Sequence, residues 1–159
     1  MKLRRRPPQS WRSTHSGTAT VEFALVSALF FTLLIGIMEF GRVLFYWNSA
    51  EEATRLGARI AVVCNNDAAA IAHVKVRMRE MFPQVPAANI QIIYPPAGCI
   101  SLECKRVTVS IVGDVPIATY IPFVNLSLAL PPFTTSLPTE SMKSINGPVG
   151  FQTNNPVCS

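Results

Sequence analysis

Charge is scarce in this chain of 159 residues: 14% are Asp, Glu, Lys or Arg, against roughly 25% in an ordinary soluble domain. Glycine occurs eight times without a triplet period, which excludes a collagen-like repeat. Neither GxSxG, HExxH, a phosphate-binding loop nor a dinucleotide fingerprint is present. Histidine is limited to His15 and His73, and Asp114 sits between Gly113 and Pro116 as a turn residue would. No catalytic constellation can be assembled from these residues, so neither enzymatic activity nor a cofactor is expected. What the chain has in quantity is apolar residues, 49% of the total, too many for a disordered protein.

The net charge of +5 raises the question of a nucleic-acid partner. Lys2, Arg4, Arg5, Arg6 and Arg12 precede any acid, and the nine remaining basic residues balance nine acidic ones. Phosphate tracking needs positive charge spread over a folded surface. Here the excess lies in a proline-broken leader, so nucleic-acid binding is not expected.

Residues 23 to 38 form an uncharged apolar run bounded by Glu22 and Glu39. As a helix, Thr18 to Met38 would reach about 31 Å, which matches the hydrocarbon thickness of a bilayer. Every later apolar stretch is short and interrupted, so a single span is expected. Basic residues collect on the cytoplasmic side of such an anchor, which leaves the body exported. Arg42, Tyr46 and Trp47 then suit the outer headgroup zone. A cleaved secretory signal fits poorly, because the apolar run exceeds the usual length and Asn48-Ser49-Ala50 is a weak cleavage site.

Glu22 stands at the head of the span, where a carboxylate is costly unless compensated. One reading lets it snorkel into the headgroups beside a flexible Gly17. The other rests on Gly17-Thr18-Ala19-Thr20-Val21-Glu22, which, after a basic leader and before an apolar helix, resembles a type IV prepilin processing signal. That resemblance implies cleavage between Gly17 and Thr18 by a prepilin peptidase, removal of the leader's five charges, and a new ammonium at Thr18. Glu22 of a neighbouring subunit could pair with that ammonium, a register device more than a source of net stability.

A second stretch narrows the resemblance. Glu39-Phe40-Gly41-Arg42 followed by Ala50-Glu51-Glu52-Ala53-Thr54-Arg55-Leu56-Gly57-Ala58-Arg59 is similar to the signature of TadE-like proteins of the tight-adherence (Flp-type) pilus system. The likeness is strong over residues 17 to 63. It implies a minor pilin-like protein, or pseudopilin, needed for pilus assembly. The implied partners are the prepilin peptidase, major and minor pilins, the inner-membrane assembly platform and the lipid bilayer. The implied location is the bacterial inner membrane, single-pass, with the N-terminus cytoplasmic, the body periplasmic, and incorporation into an extracellular pilus as a further step. The motif residues carried over are Glu39, Phe40, Gly41, Arg42, Arg55, Gly57 and Arg59. The alternative is an uncut anchored domain that binds another envelope protein.

The expected architecture is α+β: a long N-terminal helix, transmembrane in its first half, packed on a small antiparallel sheet with a second helix, as in pilins. The boundaries are a leader at 1–17, a span at 18–38, an exported domain at 39–142 and a loose polar tail at 143–159. Proline-free helical patterning continues from Glu39 to Val63, with a small-residue stripe of Ala50, Ala53, Gly57 and Ala61 suited to close packing. Asp67 can cap a second helix that runs through Phe82, buries Ile71, Val74, Met78 and Phe82, and stops at Pro83. His73, Lys75, Arg77 and Arg79 lie largely off that face. Strands are expected at 90–94 and 106–112, paired across Pro95-Pro96-Ala97-Gly98, then at 125–130, with a weaker signal at 134–137.

Cys64, Cys99, Cys104 and Cys158 fall in the exported part, where disulfides persist. Three connectivities are open to them. Cys99 and Cys104 share the hairpin loop, which favours their pairing and leaves Cys64 for Cys158. A zinc site is the competitor, but the spacings are not those of common structural sites and the histidines are poorly placed, so no metal is expected.

Overall fold

A computed structural model describes residues 16–100, 103–120, 127–140, 142–146 and 153–158. The leader charges, His15 and the first two residues of the strand expected at 125–130 lie outside them. The chain divides into two compact units, residues 1–38 and residues 39–159. One helix, α1 (Ser16–Ala61), contributes to both.

In the first unit α1 presents apolar side chains on every side. Val21, Phe23, Leu25, Val26, Leu29, Phe30, Phe31, Leu33, Ile37 and Met38 are all exposed. A helix that is hydrophobic all round has no water-facing side and belongs in lipid or in a protein interior. Among the described residues it is the one helix long and apolar enough to cross a membrane, which fits a membrane-anchored protein.

The second unit is α+β. Its second helix, α2 (Ala68–Met81), starts where Asp67 accepts a hydrogen bond from the Ala70 N–H at 2.8 Å, so the side chain satisfies a donor that the first helical turn leaves orphaned. It ends one residue short of Phe82, ahead of Pro83. Ala70, Val74, Met78 and Phe82 are buried, whereas Ile71 is only half-buried.

Strands β1 (Ile90–Ile93) and β2 (Arg106–Ile111) form an antiparallel pair with Ile90 opposite Ile111. Val107, Val109 and Ile111 turn inward, as their alternation requires. A second short pair follows from β3 (Pro116–Ala118) and β4 (Ser127–Ala129). The weaker signal at 134–137 becomes β5 (Phe133–Pro138), which completes the main sheet in the order β1-β2-β5. The strand expected at 125–130 therefore lies in the lesser sheet. The signal in β5 was muted because its half-buried positions read Phe-Thr-Leu and its exposed ones Thr-Ser-Pro. A polar residue sits in the middle of the inward face.

That residue, Thr135, explains how helix and sheet meet. Its hydroxyl lies 2.9 Å from that of Thr54, which is buried on α1 and also donates to the Glu51 carbonyl at 2.7 Å. One turn on, a Cβ added to Gly57 would stand 2.5 Å from Met78 Sδ of α2 and 3.3 Å from Val109 Cγ1 of β2. Glycine here lets three elements converge on one point. The small-residue stripe is thus the packing face of α1, its Ala50, Ala53 and Ala61 buried together with Ala58.

Past Met142, where a loose tail was expected, the described residues are tied down. Lys143 N–H donates to the Val63 carbonyl at 2.8 Å, and Asn65 N–H donates to Ser144 Oγ at 3.0 Å. Strands β6 (Ile145–Asn146) and β7 (Thr153–Asn154) pair with each other. Disulfides join Cys64 to Cys158 and Cys99 to Cys104.

Candidate interaction surface along the long helix

Gly17 and Thr18 lie in the first turn of α1, and a Cβ at Gly17 would meet nothing within 4 Å. The bond between them is therefore not screened by side chains of the described residues. Glu22 follows on the exposed helix surface, among apolar side chains. Gly17, Thr18 and Glu22 share one short stretch of helix, and no side chain of the second unit is needed to bring them together.

The motif residues of the second unit separate by role. Glu39 and Arg42 form a clamp. Arg42 donates to Glu39 Oε2 from Nη2 at 2.7 Å and from Nε at 3.2 Å, while Glu39 Oε1 accepts the Tyr120 N–H at 2.8 Å. Arg42 also donates to the Ala118 carbonyl, and its guanidinium lies 4.3 Å from the centre of the Tyr120 ring. Both side chains are largely covered, with 12% of Glu39 and 23% of Arg42 exposed. Burial raises the Glu39 pKa, but the Arg42 hydrogen bond, the Tyr120 amide and the Arg42 charge together outweigh it, and the carboxyl ends below its ordinary value. Arg42 is held more firmly protonated, chiefly by its hydrogen bond to Glu39. The Arg42 guanidinium thereby ties α1 to the end of β3 and to Tyr120 just beyond it.

Gly57 serves packing, as described above. Phe40 and Gly41 are exposed, and so are Arg55 and Arg59. Arg55 pairs with Glu51 at 2.5 Å and with Glu52 at 3.6 Å, all three being about half exposed. The outward face of α1 thus runs from aromatic (Phe40, Phe45) to charged (Glu51, Glu52, Arg55, Arg59).

All four cysteines are consumed in disulfides, so none is a thiolate ligand. The Cys99–Cys104 loop is held from outside, because Asn66 Nδ2 donates to the Cys99 carbonyl at 2.7 Å and Lys105 N–H donates to the Pro95 carbonyl at 3.1 Å. Burial pushes the Tyr94 hydroxyl pKa up to about 12, with the Asp67 carboxylate adding to the shift.

Sequence reasoning missed Tyr120, Ala118, Thr135 and Asn66. Each acts on a partner more than thirty positions away in the chain, and no local pattern announces such a pairing.

These features define a class: a protein with one apolar helix fit for a membrane anchor, continuous with the packing helix of an α+β domain. Residues 17–59 match the family model described as TadE-like protein. That stretch covers α1 almost entirely, and over it the chain is similar to TadE-like proteins. A search of curated proteins finds no match to the chain, and a search of solved structures finds none either.

Proposed function

We propose that this chain is a minor pilin-like protein, a pseudopilin, needed for assembly of a tight-adherence type IV pilus. In this reading a prepilin peptidase cuts between Gly17 and Thr18 on the cytoplasmic side of the bacterial inner membrane. The domain from Glu39 onward is periplasmic. The processed helix then associates with major and minor pilins and with the assembly platform, and Glu22 meets the new ammonium of a neighbour.

The observation that carries the reading is a coincidence of three features in one helix. The family match begins at Gly17, the sole acid of the apolar stretch is Glu22, and the side chains that follow are exposed and apolar all round. A carboxylate in such a surface calls for a partner supplied by another molecule. Cutting supplies it as the amine of the next subunit. Chemistry by the protein itself has no part in this function.

Intact-mass analysis of the protein extracted from membranes of cells with the cognate peptidase tests the proposal. The expected mass is that of a chain starting at Thr18. A retained leader would favour the uncut anchored domain, in which the helix contributes attachment alone.

A further inference from the structure

Two positions of α1 have no use in the packing of the chain. Phe40 is 66% exposed. Gly36, four residues before it, is exposed too, and a Cβ added there would meet nothing within 4 Å. Long side chains on a helix lean back toward its N-terminus and can cover the position four residues earlier. The Phe40 ring does not, since no atom of it comes within 4 Å of that Cβ. Within one chain the glycine is an open notch and the ring an unseated knob.

Their spacing points to what seats the ring. A contact between parallel α-helices recurs after eighteen residues, because eighteen residues make five full turns and advance about 27 Å. Phe40 lies eighteen residues beyond Glu22, and Gly36 lies eighteen beyond Thr18. Consider a parallel neighbour displaced by four residues, about 6 Å, so that its Thr18 ammonium meets Glu22. That displacement also brings the neighbour's Gly36 to Phe40. The shift that satisfies the charge therefore seats the ring, and a glycine is what lets two helix backbones approach closely in lipid. Gly41 supplies a contrast. It is equally open, but it stands twenty-three residues beyond Thr18 and points about 140° round the helix from Gly36. Both halves of both contacts belong to this one chain, which selects a second copy as the neighbour. A partner of another sequence would need its own glycine at the same distance from its first residue.

We infer that a second copy of this chain packs in parallel beside α1, displaced by four residues, with its Gly36 receiving Phe40. This contact fixes the register at the far end of the span as Glu22 and Thr18 fix it at the head. The inference rests on the pilin reading, because the Thr18 ammonium exists only after cutting.

The test uses the protein extracted from cells with the cognate peptidase, its start checked by intact mass, and reconstituted in phosphatidylcholine vesicles. All four native cysteines are held in disulfides, so an introduced cysteine is the one free thiol. Chains carrying Phe40→Cys are mixed with chains carrying Gly36→Cys, oxidised with copper phenanthroline, and the linked peptides are mapped. The link between the two variants should exceed severalfold the link within either variant alone, and also the link between Phe40→Cys and Gly41→Cys. Helices side by side without displacement would instead link like to like. Adding Glu22→Gln to both chains should lower the mixed link about threefold or more, the effect that one polar contact between membrane helices supplies. A retained leader would sink the pilin reading and this inference together. If the chain starts at Thr18 but the mixed link is absent, or is no stronger than the like-to-like or Gly41→Cys links, the pilin reading stands and the contact is overturned. A mixed link undiminished by Glu22→Gln overturns the shared register.

Discussion

The two stretches of α1, residues 18–38 and 39–61, obey different rules of substitution although they are one helix. In the first, side chains of every orientation are exposed and apolar, and a Cβ added to Gly36 would meet nothing within 4 Å. In the second, a stripe of Ala, Thr and Gly is sealed against α2 and the sheet, and a Cβ added to Gly57 would strike Met78 and Val109. The same residue type is thus a bystander to the chain's own packing in one stretch and a packing requirement in the other. What differs is the set of atoms facing the helix. Among the described residues the apolar side chains of the first stretch lie open, which leaves lipid or another molecule to cover them. In the second, α2 and the sheet supply the atoms that face the small-residue stripe.

The sharpest way to break this comparison is to exchange residues 18–38 for an unrelated apolar helix of equal length. The domain should keep its thermal or denaturant midpoint, while pilus assembly is lost altogether because Glu22 and its surroundings are gone. Normal assembly by the chimera would reduce the first stretch to an anchor.

Next in size is the disulfide pair. Cys64–Cys158 spans a sequence separation of 94 and Cys99–Cys104 one of 5. The chain-entropy model assigns about 4–5 kcal/mol to the longer loop and about 2 kcal/mol to the shorter. Replacing Cys64 and Cys158 by Ser should therefore lower the unfolding free energy more than replacing Cys99 and Cys104. Denaturant titration of the two double variants would check the order.

Smaller again is the glycine contrast. Gly57→Leu overfills the point where α1, α2 and β2 meet and should destabilise the domain by about 1–3 kcal/mol. Gly36→Leu should leave the denaturant midpoint unchanged. An equal effect of the two substitutions would erase the distinction between the stretches.

The smallest effect concerns acid. The Glu39 pKa is depressed in the folded chain, so its contribution to holding Tyr120 is fully present above the ordinary carboxylate pKa. It is lost as pH falls through the lower, folded value. The Tyr120 amide resonance, followed by NMR, should shift over that acidic range and return on neutralisation. In Glu39→Gln the acid-dependent shift should be absent.

The helices were more legible in the sequence than the sheet. The apolar run, the cap at Asp67 and the stop before Pro83 are local signals, each carried by a few adjacent residues. β1 and β2 were readable for the same reason, being rich in β-branched residues with period-two alternation. β5 was nearly hidden, because Thr135 occupies an inward position and is satisfied there by Thr54, which is 81 residues away. The candidate site divides along the same line. Gly17, Thr18 and Glu22 declare themselves by spacing, but the partner of the Glu39 and Arg42 motif could not be named without the fold, since Tyr120 lies in a segment with no marking pattern.

The sequence by itself determined the helix that can cross a membrane, the neutral character of the body and the family resemblance of residues 17–63. Hydrophobicity and spacing along one helix are properties of neighbouring residues. Only the tertiary structure decided which cysteines face each other among three connectivities, which face of α1 is sealed, and why an Arg in the family motif holds a distant backbone carbonyl. Those depend on contacts between residues far apart in the chain, selected when the helices and the sheet close around a common core.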